Sequence, residues 1–430
     1  MPQKEPNKSV EQIDTLVIGG GQAGIAMSEH LGKAGISHLV LERARIAERW
    51  RSERWDSLMA NGPAWHDRFP NRDFNAHKPD AFVSKEEIAD YLVDYATQVG
   101  CPIRENTEVT SLSRKETGMG FVAKTSVGEI SARYVVSATG PFQRPLIPQI
   151  VPKSAGVKQI HSVDYHNPEE LPKGAVLVVG SGSSGVQIAA ELLAAGRKVY
   201  LSVGKHDRPP RRYRGRDFVW WLGVLNLWDA EFTPGTEHTT IAVTGSKGGY
   251  TIDFRNLAES GATLVGRTNG FDAGKISFAG DLINSIQNGD MNYLATLDMA
   301  DAFIERNGID LPEEPEARKI GPDPDCITNP LVDLDLADAG VSTILWATGY
   351  GYDYDWLDVD ACDENGKPAH TRGVSTEPGF YYLGLPWLSR RGSSFLWGVW
   401  HDAKFIADHI AKQEGYLAYQ GLAERLTDTG

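Results

Sequence analysis

The sequence predicts an α/β protein with two dinucleotide-binding (Rossmann-like) domains, the first of which is split by insertion of the second. Two glycine signatures of the form G-x-G-x-x-G each lie between an apolar strand and a helix. Two further apolar strands end in Ala-Thr-Gly, and the second of them, at residues 341–349, suggests that the chain returns there to the first domain. The predicted segments are residues 1–148, 149–330 and 331–430.

Length, charge and cysteine content limit the class of protein. The chain has 430 residues, more than one compact core normally holds, which favours two domains. A net charge of −14 argues against nucleic-acid binding, because such proteins need a basic surface. No apolar run reaches the roughly 18 residues of a membrane span, and the polar start lacks a signal core. The three cysteines form no C-x-x-C pair, so we expect no zinc site, no dithiol centre and a reducing, cytoplasmic compartment.

The first glycine signature follows an apolar strand predicted at residues 14–18. Gly19 permits the tight turn, Gly21 lets the backbone approach a pyrophosphate, and Gly24 lets the next helix pack closely on the strand. That helix, predicted at residues 22–34, directs its first N–H groups at the phosphates. The order of strand, glycine turn and helix indicates a bound dinucleotide more strongly than the glycines alone.

The second signature, Gly180-Ser181-Gly182-Ser183-Ser184-Gly185, repeats this arrangement in the middle of the chain. It follows an apolar strand predicted at residues 175–179 and precedes a helix predicted at residues 186–195. Two complete units in one chain predict that two different dinucleotides bind to the same protein.

The two units differ where their second strand ends. Glu42 follows Gly21 by about twenty residues, the spacing of the acid that binds a free ribose hydroxyl, so the first site suits FAD. The equivalent position of the second unit is Ser202, which would not repel a 2′-phosphate. The second site is therefore predicted to prefer NADPH over NADH, with a phosphate held by the cations that follow: Lys205, Arg208, Arg211 and Arg212.

Local signals place several other elements. Ser84 and Glu87 form a capping box that predicts a helix at residues 84–99. Asp281 is interpreted as the N-cap of a helix at residues 281–305. Short strands between glycine-containing turns are predicted at residues 108–114, 120–125 and 129–138.

Two further stretches, one in the middle of the chain and one near its end, have roles that the sequence alone leaves open. The tryptophan-rich stretch at residues 218–228 either lines a substrate pocket or packs in a core, and the sequence does not decide between them. A helix is predicted to begin at Asp402. If its N-terminus faces the flavin, its dipole would favour negative charge on the reduced ring.

Taken together, these motifs resemble the class B flavoprotein monooxygenases, in particular the bacterial flavin-containing branch related to plant auxin-synthesis and Baeyer–Villiger enzymes. The resemblance covers most of the chain. It rests on the two glycine signatures, on the two Ala-Thr-Gly segments and on the C-terminal stretch at residues 384–403. Asn61-Gly62-Pro63 resembles the segment that carries the flavin-side asparagine of the N- and S-oxygenating members. His161 and Tyr165 match half of the family fingerprint, whereas its phenylalanine is missing and its glycine is displaced.

The resemblance implies that NADPH reduces FAD and that the reduced flavin adds dioxygen as a C4a-(hydro)peroxide, which oxygenates a small amine or sulfide. Asn61 would be the catalytic side chain near flavin C4a. The implied FAD site comprises Gly19, Gly21, Gln22, Ala23, Gly24, Glu42, Arg43, Trp50, Thr139, Gly140, Thr348, Gly349 and Asp402. The implied NADPH site comprises Gly180, Gly182, Ser183, Ser184, Gly185, Ser202, Lys205, Arg211 and Arg212.

Other functions stay open at this point. Oxygenation of a ketone (Baeyer–Villiger) or of an α-keto acid is the next candidate. A non-oxygenating NAD(P)H-flavoprotein reductase shares the two-domain plan, but a disulfide reductase would need a C-x-x-C pair that the sequence lacks. A flavoprotein sensor would have no reason to keep the nicotinamide site. The expected partners are a small substrate and O2, without nucleic acid or membrane, and association into a homodimer stays open.

Overall fold

The computed structural model describes residues 10–233 and 240–419. The α-helices of this part are α1 (Gln22–Lys33), α2 (Glu48–Ser52), α3 (Lys85–Gln98), α4 (Ser183–Ala194), α5 (Phe218–Val224), α6 (Phe254–Glu259), α7 (Leu282–Asn307), α8 (Asp325–Thr328) and α9 (Leu396–Leu417).

Most strands belong to one of two larger sheets. In chain order the strands are β1 (Glu11–Ile18), β2 (His38–Leu41), β3 (Ile103–Arg104), β4 (Val109–Arg114), β5 (Phe121–Thr125), β6 (Gly128–Ser137), β7 (Arg144–Pro145), β8 (Lys158–His161), β9 (Ala175–Val179), β10 (Val199–Ser202), β11 (His206–Asp207), β12 (Arg212–Tyr213), β13 (Arg216–Asp217), β14 (Thr240–Ile241), β15 (Ala262–Val265), β16 (Thr268–Asp272), β17 (Lys275–Phe278), β18 (Asp333–Asp335), β19 (Val341–Trp346), β20 (Tyr350–Gly351), β21 (Leu357–Asp358), β22 (His370–Thr371), β23 (Val374–Ser375) and β24 (Phe380–Tyr382).

The first sheet surrounds β1, the strand that leads into the first glycine signature. Its order is β21-β4-β5-β6-β1-β2-β3, and β24 also pairs with the end of β6. Strands β1, β2, β3 and β24 run parallel to β6 or to each other, whereas β4 and β5 are antiparallel. Strand β1 begins three residues before the predicted strand at residues 14–18, and its last residues, Leu16–Ile18, are buried on both faces of the sheet.

The second sheet has the order β15-β10-β9-β19-β8, and all of its strands are parallel. Strand β19 therefore lies beside β9, in the sheet of the second glycine signature. The prediction that the chain returns to the first domain at residues 341–349 is wrong, because β19 pairs with β9. Residues of β19 pair with Ala175–Val179 on one side and with Lys158–His161 on the other, and the chain rejoins the first sheet only at β21.

The C-terminal helix closes the first sheet. Helix α9 packs against α1, and the Trp400 indole N–H donates to a Glu29 carboxylate oxygen at 2.6 Å. The helix begins at Leu396, so the predicted start at Asp402 is wrong. Asp402 lies in the second turn, where its carboxylate accepts a 2.6 Å hydrogen bond from the Ser389 hydroxyl and is buried.

The two helices predicted from local caps form close to the predicted limits, but only the Ser84 cap is present. Helix α3 follows Ser84, and the Ser84–Glu87 capping box is present. Helix α7 begins one residue after Asp281, but the Asp281 side chain accepts from the Arg267 backbone N–H at 3.0 Å instead of capping the helix.

Candidate cofactor and active site

A single cavity of about 1390 Å³ lies between the two glycine signatures and is lined by both parts of the fold. Pockets for one drug-sized ligand measure roughly 300–1,000 Å³, so this cavity can hold more than one ligand. Its lining includes the first turns of α1, α4 and α9. None of these three helices has a side-chain cap or an acidic residue in its first turn. Their free N–H groups are therefore available to anions.

The first glycine signature has the geometry that a pyrophosphate requires. Gly19 has a φ of +115°, and a Cβ there would lie 2.5 Å from the Ala138 carbonyl oxygen. A Cβ at Gly24 would clash with the Gly19 carbonyl. A Cβ at Gly21, which lines the cavity, would meet no protein atom within 4 Å, so it would occupy the space of a ligand. Each of the three glycines is needed for a different physical reason.

The second signature repeats these contacts. Gly180 has a φ of +123° and approaches the Ala347 carbonyl, just as Gly19 approaches that of Ala138. A Cβ at Gly185 would clash with the Gly180 carbonyl. Ser183 and Ser184 line the cavity at the start of α4. A Cβ at Gly182 would lie 2.8 Å from the Thr240 methyl group.

Ala347-Thr348-Gly349 is therefore the counterpart of Ala138-Thr139-Gly140 in the second sheet. Thr348 donates its hydroxyl to the Leu146 carbonyl, and the Gly349 carbonyl lies 3.0 Å from the His161 Nε2 atom. The structure places both residues beside the second signature and outside the cavity lining, so their predicted role in the FAD site is not supported. The reason is the pairing of β19 with β9.

The other predicted residues of the first site lie together. Glu42 accepts hydrogen bonds from the Gly20 backbone N–H at 2.7 Å and the Ala44 N–H at 2.9 Å. Gln22 donates to the Ser394 carbonyl at 2.7 Å, which joins α1 to the segment before α9. The cavity lining contains Gly19, Gly21, Gln22, Ala23, Glu42, Arg43, Trp50, Thr139 and Gly140, whereas Gly24 lies behind it and Asp402 lies outside.

The structure separates the residues predicted to hold a 2′-phosphate. Ser202 is buried at the end of β10, where its hydroxyl donates to the Gly266 carbonyl at 2.9 Å. Arg211 lies elsewhere, buried, ion-paired with Asp217, and donating to the Asn61 carbonyl at 2.7 Å. Arg212 donates to the carbonyls of Gly248 and Gly249 at 2.9 and 3.1 Å, and Arg208 is buried with Asp290. The protein partners of these arginines hold them away from Ser202.

Arg267, a cation that was not predicted from the sequence, lies closer to Ser202. The Arg267 side chain runs beside Gly204, two residues after Ser202, since its Cγ would lie 3.3 Å from a Cβ at Gly204. Its guanidinium is exposed and pairs with Asp281 at 2.5 Å. Arg267 follows β15, the neighbour of β10 in the sheet, so only the strand order could have revealed it.

Asn61 lines the cavity between the two signatures. Its side-chain carbonyl accepts from the Gln187 amide at 2.9 Å, and its backbone carbonyl accepts from Arg211. Both partners follow the second glycine signature in the chain, so the predicted catalytic side chain is held across the boundary between the two parts. Gln187 was not predicted, although its place two residues after Gly185 could have suggested it.

Aromatic side chains form one wall of the cavity. Trp228 stacks on the buried His66 at a ring distance of 5.0 Å and contacts Phe395 edge-on at 5.2 Å. Trp221 of the same tryptophan-rich stretch is buried in a separate core. The stretch therefore both lines the cavity, through Trp228, and packs in a core, through Trp221. The wall also contains Phe232, Trp387 and Arg391.

Several arginines in the lining are partly desolvated. Burial lowers the pKa of Arg391, whose Nε atom is buried without a hydrogen-bond partner. Burial likewise lowers the pKa of Arg54, which lies over the Phe142 ring at 4.5 Å. In residues 10–233 and 240–419, no group of three or more His, Cys, Asp or Glu side chains could hold a metal ion. No helix in the same residues is long and apolar enough to cross a membrane.

Comparison with known proteins identifies the family. A profile of the pyridine nucleotide-disulphide oxidoreductases matches residues 16–222. An uncharacterized oxidoreductase CzcO-like of Geobacillus kaustophilus is 34% identical over 403 residues, covering 93% of this chain and 98% of that protein. The chain belongs to this family of CzcO-like oxidoreductases. The probable indole-3-pyruvate monooxygenase YUCCA1 of Arabidopsis thaliana is 32% identical over 192 residues, which cover 44% of this chain and 46% of that protein.

Solved structures share the fold at lower identity. The flavin-containing monooxygenase from Stenotrophomonas maltophilia has a TM-score of 0.65 at 18% identity and covers 95% of this chain and 100% of its own. The bacillithiol disulfide reductase Bdr from Bacillus cereus has a TM-score of 0.60 at 16% identity, covering 94% and 100%. The comparisons confirm the resemblance to class B flavoprotein monooxygenases, an oxidoreductase class that pairs FAD with NADPH.

Proposed function

We propose that this CzcO-like protein is an NADPH-dependent flavin monooxygenase that transfers one oxygen atom from O2 to a small nucleophile, an amine nitrogen or a sulfide sulfur. The observation that carries the proposal is the single cavity onto which both uncapped glycine-loop helices open, with Asn61 between them. When bound, FAD takes a hydride from NADPH and activates O2, so the oxygenation chemistry belongs to the cofactor.

The residues present fit both cofactors. FAD would lie along α1, where the open side of Gly21 leaves room for the pyrophosphate and the Glu42 carboxylate meets the adenosine ribose. NADPH would lie along α4, with Ser183 and Ser184 at its phosphates. We assign the 2′-phosphate to the surface beside Ser202, with Lys205 and Arg267 as its cations. Because β19 pairs with β9, the proposed NADPH domain runs from about residue 149 through β19.

The protein's own contribution is to orient the reactants and to exclude water. The aromatic wall of Trp228, Trp387 and Phe395 supplies an apolar face to the cavity. Asn61 supplies an amide that can hydrogen-bond into the same space. Few acid–base groups are required of the protein, because a soft nucleophile attacks the activated oxygen directly.

The proposal is tested by measuring the product, NADPH consumed and hydrogen peroxide released by the purified FAD-loaded enzyme. A coupled oxygenase forms about one product per NADPH with at least one amine or sulfide. One peroxide per NADPH with every amine, sulfide, ketone and α-keto acid tested would overturn the oxygenase assignment.

Asn61→Ala checks the part given to Asn61. Removal of the amide should raise the peroxide released per NADPH, by about tenfold if one charge-assisted hydrogen bond is lost. Asn256→Ala, at an exposed position of α6, is the matched control and should leave this ratio as in the wild type. A ratio that is the same in both variants would remove Asn61 from the site.

Oxygenation of an α-keto acid is the second candidate. The sequence identity with a plant indole-3-pyruvate monooxygenase favours it, and so does the Arg391 guanidinium in the aromatic wall, which could pair with a carboxylate. A non-oxygenating reductase is a further candidate, because a disulfide reductase shares the fold. However, Cys101, Cys326 and Cys362 are separate free cysteines and none of them lines the cavity.

A further inference from the structure

Gln187 of α4 makes two hydrogen bonds with the same nitrogen atom. Its Nε2 donates to the Asn61 side-chain oxygen at 2.9 Å and to the Val243 backbone carbonyl at 2.8 Å. Gln187 is only 7% exposed and lines the cavity together with Asn61 and Val243, so its amide makes these contacts in the cavity wall. The residue belongs to the helix that begins at the second glycine signature.

The Val243 contact determines which way both amides face. A backbone carbonyl can only accept, so the Gln187 atom beside Val243 must be the amide nitrogen and not the oxygen. Because the same nitrogen faces Asn61, Asn61 must present its oxygen to Gln187. The Asn61 Nδ2 group is then left to donate elsewhere, and Asn61 lines the cavity.

The backbone at Asn61 is fixed from the same side. Arg211, which is 3% exposed and ion-paired with Asp217, donates to the Asn61 carbonyl at 2.7 Å. Gly245 also lies so close to Ala60 that a Cβ there would clash with the Ala60 carbonyl. The position and the orientation of Asn61 are therefore set by residues that follow the second signature.

We infer that Gln187 is a positioning residue that holds the Asn61 amide with its N–H donors toward the cavity, where oxygen is activated. This inference rests on the proposed function. A donor stabilises negative charge that develops on oxygen during transfer, whereas an amide carbonyl in the same place repels it. Without Gln187 the Asn61 amide can take either orientation, and one of them opposes oxygen transfer.

The test compares Gln187→Leu, Asn61→Ala and the double variant as FAD-loaded enzymes. Peroxide released per NADPH is measured, because this ratio does not depend on how fast the flavin is reduced. Gln187→Leu should raise the ratio about fivefold, and it should add nothing in the Asn61→Ala background, since Gln187 acts through Asn61. Gln187→Met serves the same purpose should the leucine variant fold poorly.

A matched control and a structural readout complete the design. Gln159→Leu removes an amide that donates to the carbonyls of Val151 and Pro152 but lies outside the cavity lining, so it should leave the ratio as in the wild type. A neutron crystal structure of Gln187→Leu, in which the amide deuterons distinguish nitrogen from oxygen, should show the Asn61 amide in a reversed or mixed orientation. An unchanged Asn61 conformation, an unchanged ratio, or an additive effect in the double variant would each overturn the inference.

The result is separable from the proposed function. If the wild-type enzyme releases all of its reducing equivalents as peroxide with every substrate, the oxygenase assignment fails before Gln187 is tested. If the wild type is coupled and Asn61→Ala uncouples it while Gln187→Leu does not, the oxygenase assignment stands and the role of Gln187 is refuted.

Discussion

Replacement of Gly185 by alanine should weaken NADPH binding and leave FAD in place, whereas Gly24→Ala should do the reverse. A Cβ at Gly185 would lie 1.9 Å from the Gly180 carbonyl oxygen, and a Cβ at Gly24 would lie 1.9 Å from that of Gly19. Ordinary contacts of a Cβ begin near 3.4 Å, so each helix must move by about 1.5 Å from its glycine turn. Both clashing atoms are backbone, and no side-chain rotation relieves them.

The size of the effect follows from the position of the helix N-terminus. The first N–H groups of α1 and α4 are the proposed phosphate donors, and a displacement of about 1 Å at a binding group can cost roughly a hundredfold. We therefore expect Gly185→Ala to lower the second-order rate of flavin reduction by NADPH about a hundredfold, with a normal FAD content. Gly24→Ala should be purified largely without FAD.

Three measurements decide the outcome: FAD per protein from the visible spectrum, anaerobic flavin reduction against NADPH concentration, and the unfolding temperature. Gly32→Ala is the matched control, because it lies in the same helix as Gly24 and its Cβ would have no neighbour closer than 3.9 Å. The assignment of the two loops would be refuted if Gly185→Ala lost FAD while Gly24→Ala retained it and bound NADPH weakly.

Two further predictions concern charge. Arg267→Ala should raise KM for NADPH about tenfold and leave KM for NADH nearly unchanged, because a charge-assisted hydrogen bond to the 2′-phosphate is lost. Arg212→Ala is the control. An equal effect of Arg212→Ala on KM for NADPH would support the phosphate site predicted from the sequence. Burial lowers the pKa of His206 from 6.5 to about 4. The stabilisation that depends on neutral His206 is therefore complete above pH 6.5 and is lost as the pH falls toward 4. About 2 kcal/mol of the free energy of unfolding should disappear between pH 7 and pH 5. Chemical unfolding should show a weaker pH dependence for His206→Asn, and the same slope in both proteins would contradict this account.

The sequence predicted most accurately the features that depend on a few adjacent residues. The strand at 175–179 has the predicted limits, and the Ser84 capping box is present. The two glycine turns were also predictable, because their close backbone approaches require glycine wherever the fold places them. These features are local, so one sequence contains the necessary information.

Features that depend on distant pairing were not predictable in the same way. Two segments read Ala-Thr-Gly, and their own residues do not say which sheet each strand joins; β19 pairs with β9 because of contacts far apart in the chain. Arg211 is one of several cations in a basic stretch, and its burial against Asp217 is not visible from that pattern. Asp402 has the side chain of an N-cap, but the helix begins six residues earlier, at the apolar Leu396.

On the proposed function, the cavity binds two anionic dinucleotides inside a protein of net charge −14. Side-chain charge does not explain this, because more carboxylates than guanidinium groups line the cavity. We propose that the uncapped N-termini of α1, α4 and α9 supply the compensating groups, since backbone N–H donors recognise phosphate without any cation. Affinity for the phosphates should then depend on the glycine turns that hold these helices, and arginines such as Arg267 should only distinguish NADPH from NADH. That division explains why the glycine variants are expected to act on binding of a whole dinucleotide and the Arg267 variant on one phosphate.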